Sequence, residues 1–105
     1  LPKIKGSGNI LGMIMTPKAK QYGRKLQEIS EKYLKRNVKL FKAGELGFKD
    51  DVRMIFDDAS TLYLAGGFMV HGDFDQAYGM LSKMDTAVRE EVPAYIWNYL
   101  EKFAK

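Results

Sequence analysis

The sequence has no cysteine, one histidine, one tryptophan and three prolines in 105 residues. Without cysteine there is no disulfide framework, no thiolate metal site and no thiol nucleophile. That absence suits a reducing interior and a hot environment equally. The single histidine, His71, falls at a predicted helix end, where the dipole favours positive charge, and reads as a helix-terminal residue. Long apolar runs are missing as well. The longest, Ile10-Leu11-Gly12-Met13-Ile14-Met15, is far too short to span a bilayer, and no small-residue cleavage site follows it as in a secretory signal. No strand pattern occurs, no nucleophile elbow, and no Ser-x-x-Lys motif. Gly6-Ser7-Gly8 lacks the Gly-Lys-Ser/Thr that a phosphate-cradling loop requires. The expectation is a protein that is not an enzyme and takes no cofactor.

What is present is the composition of a folded domain: 46% apolar, 12% aromatic and 29% charged residues. At this length the chain is one domain. It begins at Leu1, and a preceding segment is expected. The net charge of +4 conceals a polarity. Residues 1–43 hold eleven Lys or Arg against Glu28 and Glu31, whereas residues 44–105 hold six against eleven acids. Such asymmetry points to a polyanionic partner or to contact between copies of the chain.

Residues 1–15 read as an extended arm, punctuated by Pro2, Gly6, Ser7, Gly8 and Gly12. Residues 16–105 form the helical domain. Thr16 is suited to cap a helix and Pro17 to open it, so a long helix is predicted from Pro17 to about Ala43, stopped by a left-handed Gly44. Its apolar face comprises Ala19, Tyr22, Leu26, Ile29, Tyr33 and Leu40, widened by Leu34, Val38 and Phe41. Asp50 or Asp51 is expected to cap a second helix of some twenty residues with core positions Val52, Ile55, Phe56, Ala59, Leu62, Tyr63, Gly66 and Val70. Ala65-Gly66-Gly67 costs helix propensity, up to about 1 kcal/mol per glycine, and suggests close approach of a neighbouring helix or a local kink. His71-Gly72 ends this helix, and Asp73-x-x-Gln76 starts the next with Phe74, Ala77, Tyr78, Leu81 and Met84 inward. A helical turn near Asp85–Glu91 and a last helix from Pro93, with Val92, Tyr95, Ile96, Tyr99, Leu100 and Phe103, complete the pattern. The fold class is all-α: an antiparallel bundle of about four helices preceded by a basic, Gly-containing arm.

The first helix is two-faced. At about 100° per residue, Lys32, Lys35, Arg36, Lys39 and Lys42 fall within a sector of roughly 120°. Lys18, Lys20, Arg24 and Lys25 continue this stripe towards the N-terminus, and the apolar residues opposite are expected to be buried. Pairing of Glu28 with Lys32 and of Glu31 with Lys35 would neutralise two cations. The rest, Lys18, Lys20, Arg24, Lys25, Arg36, Lys39 and Lys42, are left without a local acid and repel one another unless a partner supplies negative charge.

Metal and catalytic alternatives are weaker. His71-Gly72-Asp73-Phe74-Asp75 offers three potential ligands, and the pairs Asp50-Asp51 and Asp57-Asp58 share a helix side. Capping and solvated surface explain these residues more simply, so no metal site is expected. Tyr22 and Tyr33 fit core positions with hydroxyls reaching the surface.

A lysine-dominated stripe suits phosphate contact and not base reading, and no zinc-finger, RNA-recognition or helix-turn-helix signature accompanies it. Lys3 and Lys5 in the arm add to the expected nucleic-acid-binding set. The apolar residues Ile10, Leu11, Met13, Ile14 and Met15 are expected to dock on a neighbouring copy. The arm, the segment "TPKAKQYGRKL" (Thr16 to Leu26) leading into the long basic helix, and the short helical body resemble the major coat proteins of filamentous archaeal viruses of the lipothrixvirus and rudivirus type. That resemblance implies a capsid protein, located in the virion, that wraps linear double-stranded DNA in a filament with arm and first helix facing the DNA. The acidic second half departs from a uniformly basic pattern and would face outward or meet neighbours.

Two further readings stand beside it. One is an intracellular, soluble helical interaction module whose basic helix meets acidic faces of partner subunits. "FMVHGDFDQAYGMLSKM" (Phe68 to Met84) resembles the hairpins of repeat proteins, although no second copy follows at a fixed period. The other places the lysine face on an anionic membrane surface, against which the apolar side of that helix is committed to the core.

Overall fold

The computed structural model describes residues 17–44 and 49–104, without the side chains of residues 49–51. Helix makes up 84% of the described residues, in five segments, with no strand among them. These are α1 (Pro17–Lys42), α2 (Lys49–Val70), α3 (Phe74–Ser82), α4 (Thr86–Arg89) and α5 (Ala94–Phe103). The all-α expectation holds. The arm and its residues Lys3, Lys5, Ile10, Leu11, Met13, Ile14 and Met15 lie outside the described residues, as does the cap at Thr16.

The helix ends follow local chemistry. Gly44 takes φ +81° and donates its N–H to the Phe41 carbonyl. Gly72 takes φ +84°, and the N–H groups of Gly72 and Asp73 bond back to Met69 and Phe68. That pair of bonds closes α2 with carbonyls that would otherwise be unpaired. Asp73 then caps α3 by accepting from the Gln76 N–H at 3.2 Å. Helix α2 runs Lys49–Val70, and the cap expected at Asp50 or Asp51 rests on side chains outside those described.

Helices α1 and α2 are antiparallel. Gly23 meets Gly66, and seven residues on, Ser30 meets Ala59 seven residues back, the Ser30 hydroxyl donating to the Ala59 carbonyl at 2.6 Å. Ser30 is buried, and this bond satisfies it. The seam of α1 is therefore Ala19, Gly23, Leu26 and Ser30. Opposite it, Ile55, Ala59, Leu62, Ala65, Gly66 and Met69 are buried. Expected core residues Tyr22, Ile29 and Tyr33 are half-buried, whereas Leu40, Phe41, Phe56 and Tyr63 are exposed. The correction has a physical cause. Where the backbones come closest, at Gly23–Gly66 and Ser30–Ala59, only small side chains fit between the helices, and Phe56 and Tyr63 stand beside the seam.

The remaining helices brace one end of the hairpin. Phe74, Ala77, Leu81, Met84, Val88, Val92, Ile96 and Leu100 join Ala19, Leu26, Leu62, Ala65 and Met69 in one buried cluster. Rings of Tyr22, Phe74, Tyr95, Tyr99 and Phe103 pack along α5 at centroid separations of 4.7–5.8 Å. The Trp97 indole N–H donates to the Arg89 carbonyl at 3.3 Å, tying α5 to α4. Every member of this cluster from α1 precedes Ser30, so the half of the hairpin towards Gly44 projects beyond it. The molecule is accordingly elongated, 57 × 20 × 20 Å, with a radius of gyration of 16.0 Å against about 13 Å for a compact chain of this length.

Candidate nucleic-acid interface

Helix α1 carries the stripe because its buried seam is narrow. Burying Ala19, Gly23, Leu26 and Ser30 turns Lys18, Lys20, Arg24, Lys32, Lys35, Arg36, Lys39 and Lys42 to solvent, with Lys25 half-buried. From Lys18 to Lys42 the stripe runs about 36 Å along the axis, near the length of one duplex turn.

Three ion pairs within the described residues modify it. Lys25 donates to Glu28 at 2.8 Å, and Lys32 lies 3.9 Å from the same carboxylate. The hydrogen bond and charge of Lys25 hold the Glu28 carboxyl below its ordinary range, and Glu28 raises the Lys25 ammonium in turn. Arg36 donates to Glu91 at 2.9 Å and stacks 5.6 Å from the Tyr33 ring centroid. Lys25 and Arg36 thus depart from the sequence expectation, since each has an acid partner. The pair Glu31–Lys35 is not formed among the described residues. Lys18, Lys20, Arg24, Lys35, Lys39 and Lys42 are exposed and form no ion pair among the described residues.

Acids gather along the other flank of α1. Tyr33, Asn37, Asp58 and Asp85 line a cleft of about 230 Å³ between α1, α2 and the start of α4. Burial, then the charges of Asp85 and Asp57, push the Asp58 carboxyl above its usual value, while its hydrogen bond with Tyr33 opposes this. Burial and the nearby carboxylates of Asp58 and Glu91 raise the Tyr33 phenol. Like charges crowd here, on the far side of Arg36 from the lysines.

Sequence reasoning overlooked one feature beside the stripe. Tyr95 closes a cleft with Gln21, Tyr22, Arg24, Lys25 and Glu28, its ring centroid 4.9 Å from that of Tyr22. Nothing local in the sequence brings Tyr95 to α1. Among the described residues no cluster of three or more His, Cys, Asp or Glu could hold a metal ion, and Asp73 is engaged as a cap. No described helix is long and apolar enough to cross a membrane. No protein-family model matches the chain, and neither a curated protein nor a solved structure does so.

Proposed function

We propose that this chain is a non-enzymatic, self-assembling structural protein that binds nucleic acid through phosphates, in the manner of a coat protein packaging double-stranded DNA in a virion. The body is read as an antiparallel bundle of four principal helices, with α4 as a single connecting turn. The observation that carries the reading is the row of six exposed cations on one helix that form no ion pair among the described residues, with Lys3 and Lys5 of the arm counted beside them. A duplex presents one charge per about 1.7 Å, so a 36 Å stripe meets far more phosphates than it can neutralise, and binding is limited by the protein's cations. The mostly lysine character gives point charges without planar, bidentate base contacts. The apolar run Ile10–Met15 supplies further contact between copies in this scheme.

The alternative, that the stripe meets acidic faces of partner subunits, draws on Arg36 and Glu91, where the basic helix already meets the acidic half within one chain. Fluorescence anisotropy on unrelated duplexes of equal length across a salt series separates the two. The proposal expects affinities within a few-fold of one another and a log K against log salt slope of up to about −5 for six contacts. A sequence preference above about a hundredfold would reject phosphate-only binding, and no salt-dependent binding would leave the subunit reading.

A further inference from the structure

Tyr95 is the most exposed ring of the aromatic row along α5, at 45%. Its ring packs on Tyr22 at 4.9 Å, and Tyr22 is held in turn, edge-on, by Tyr99 at 5.1 Å. Tyr99 meets Phe74, a member of the buried cluster. A chain of rings that reaches the core therefore backs the exposed one, which needs little ordering when a ligand arrives.

The cleft that Tyr95 closes has a volume of about 240 Å³, below the roughly 300–1,000 Å³ of pockets that enclose a drug-sized ligand. It suits one planar ring system laid against Tyr95. Beside Tyr22, its remaining lining comes from the basic helix: Gln21, Arg24, Lys25 and Glu28. Arg24 is exposed and forms no ion pair among the described residues. Lys20 and Lys18 of the stripe lie about 6 and 9 Å from it along the axis. A ligand seated here meets an aromatic face and a row of cations together.

Glu28 refines the choice of ligand. Its carboxylate, held ionised by the hydrogen bond and charge of Lys25, repels a phosphate entering the cleft. It accepts instead from the amino and ring N–H groups that uncharged bases carry. Two other tyrosines lack this setting. Tyr63, 46% exposed on α2, shares its cleft with Glu31 and mainly apolar residues. Tyr33 lies near the carboxylates of Asp58 and Glu91, which turn a phosphate chain away.

We infer that the Tyr95 cleft is a stacking site for one unpaired base, with the flanking phosphates of that strand on Lys20 and Arg24. A base within a duplex is closed to it, because neighbouring pairs cover both of its faces, whereas an unpaired base offers one. The inference rests on the phosphate-binding reading of the stripe and widens its substrate class to single strands. Stacking is tolerant of base identity, so binding stays independent of sequence.

Two probes of about twelve nucleotides test it: a single strand without self-complementarity, and an abasic strand with the same phosphates. Fluorescence anisotropy on the full 105-residue chain reads both. The base-bearing strand should bind about 5- to 100-fold more tightly than the abasic one, the scale of one stacked base. Tyr95→Ala should remove that preference, while affinity for the abasic strand and for a duplex stays unchanged. Tyr95→Trp should keep it, and Tyr63→Ala should not touch it. Circular dichroism checks the fold, and Tyr95→Leu, which keeps apolar volume against Tyr22, should behave as alanine does. Equal affinity of the unaltered chain for the two strands overturns the inference and leaves the stripe reading standing. A preference that survives both Tyr95→Ala and Tyr95→Leu does the same, as does an equal loss on the duplex. If neither strand nor any duplex binds, the stripe reading fails, and the inference falls with it.

Discussion

Gly23 and Gly66 hold α1 and α2 in backbone contact. A Cβ on Gly23 would lie 2.5 Å from the Gly66 carbonyl oxygen and 2.9 Å from the Val70 nitrogen. A Cβ on Gly66 would press on the Gly23 carbonyl oxygen, and on the Gln27 side chain at 2.9 Å. The obstacles are largely backbone atoms, which cannot turn aside as the end of a side chain can. Alanine at either position gains up to about 1 kcal/mol of helix propensity and loses more by forcing the helices apart. Gly23→Ala and Gly66→Ala should each destabilise by about 1–3 kcal/mol net, read from chemical denaturation. Gly79, also helical, has nothing within 4 Å of its would-be Cβ. Gly79→Ala should stabilise by about 0.5–1 kcal/mol, and a loss there would contradict the packing assigned to α3.

Replacing Lys35, Lys39 and Lys42 together by glutamine removes three charges that have no ion pair among the described residues, with little change in helix propensity. Affinity for every duplex should fall alike, and the salt slope should shrink by about 0.9 per lost contact, up to roughly 2.7. The melting temperature should hold or rise slightly, because like-charge repulsion along α1 is relieved. An unchanged slope would remove these three lysines from the interface.

Glu91 restrains one cation of the stripe. Glu91→Gln should free Arg36, raising duplex affinity and steepening the salt slope by at most about 0.9. The pair is partly exposed, its side chains 53% and 29% accessible, so the stability cost should stay below about 1 kcal/mol. Weaker binding in this variant would mean that Arg36 needs Glu91 to hold it in place.

Asp58 sets a pH dependence of definite sign. Its raised carboxyl means the folded chain holds this proton more tightly than the unfolded chain does. Its contribution therefore favours the fold at low pH and is lost as pH rises from the ordinary value of 3.8 through the raised one. Asp58→Asn, which still accepts a hydrogen bond from Tyr33, should raise the melting temperature at neutral pH and have no such effect near pH 3. Equal gains at both pH values would point to packing and away from charge.

Helix boundaries were legible because their causes are local. Pro17, Gly44, the Gly72-Asp73 pair and Pro93 each act within a few residues, and the structure stops or starts a helix at or beside each. The rotation of α1 and α2 about their axes was not legible. A search for large apolar residues finds Leu40, Phe56 and Tyr63, but the seam uses Gly23, Ser30 and Gly66, which such a search passes over. Gly66 alone was anticipated, from the small-residue run that contains it. The basic stripe was visible because it needs only helical spacing. Its pairing of Arg36 with Glu91 spans 55 residues and arises from tertiary packing.

The one-sided bracing of the hairpin also grades the protein's resistance to solvent exchange. Amides of α2 near Leu62 and Met69 lie within the buried cluster and should exchange only through global unfolding. Amides of α1 beyond Asn37 depend on the α1–α2 seam and should open in a separate, cheaper event. That second class of protons should exchange sooner, whereas the first should follow the stability of the whole fold. The rod would thus report the opening of its tip separately from its unfolding, through two sets of amide lifetimes.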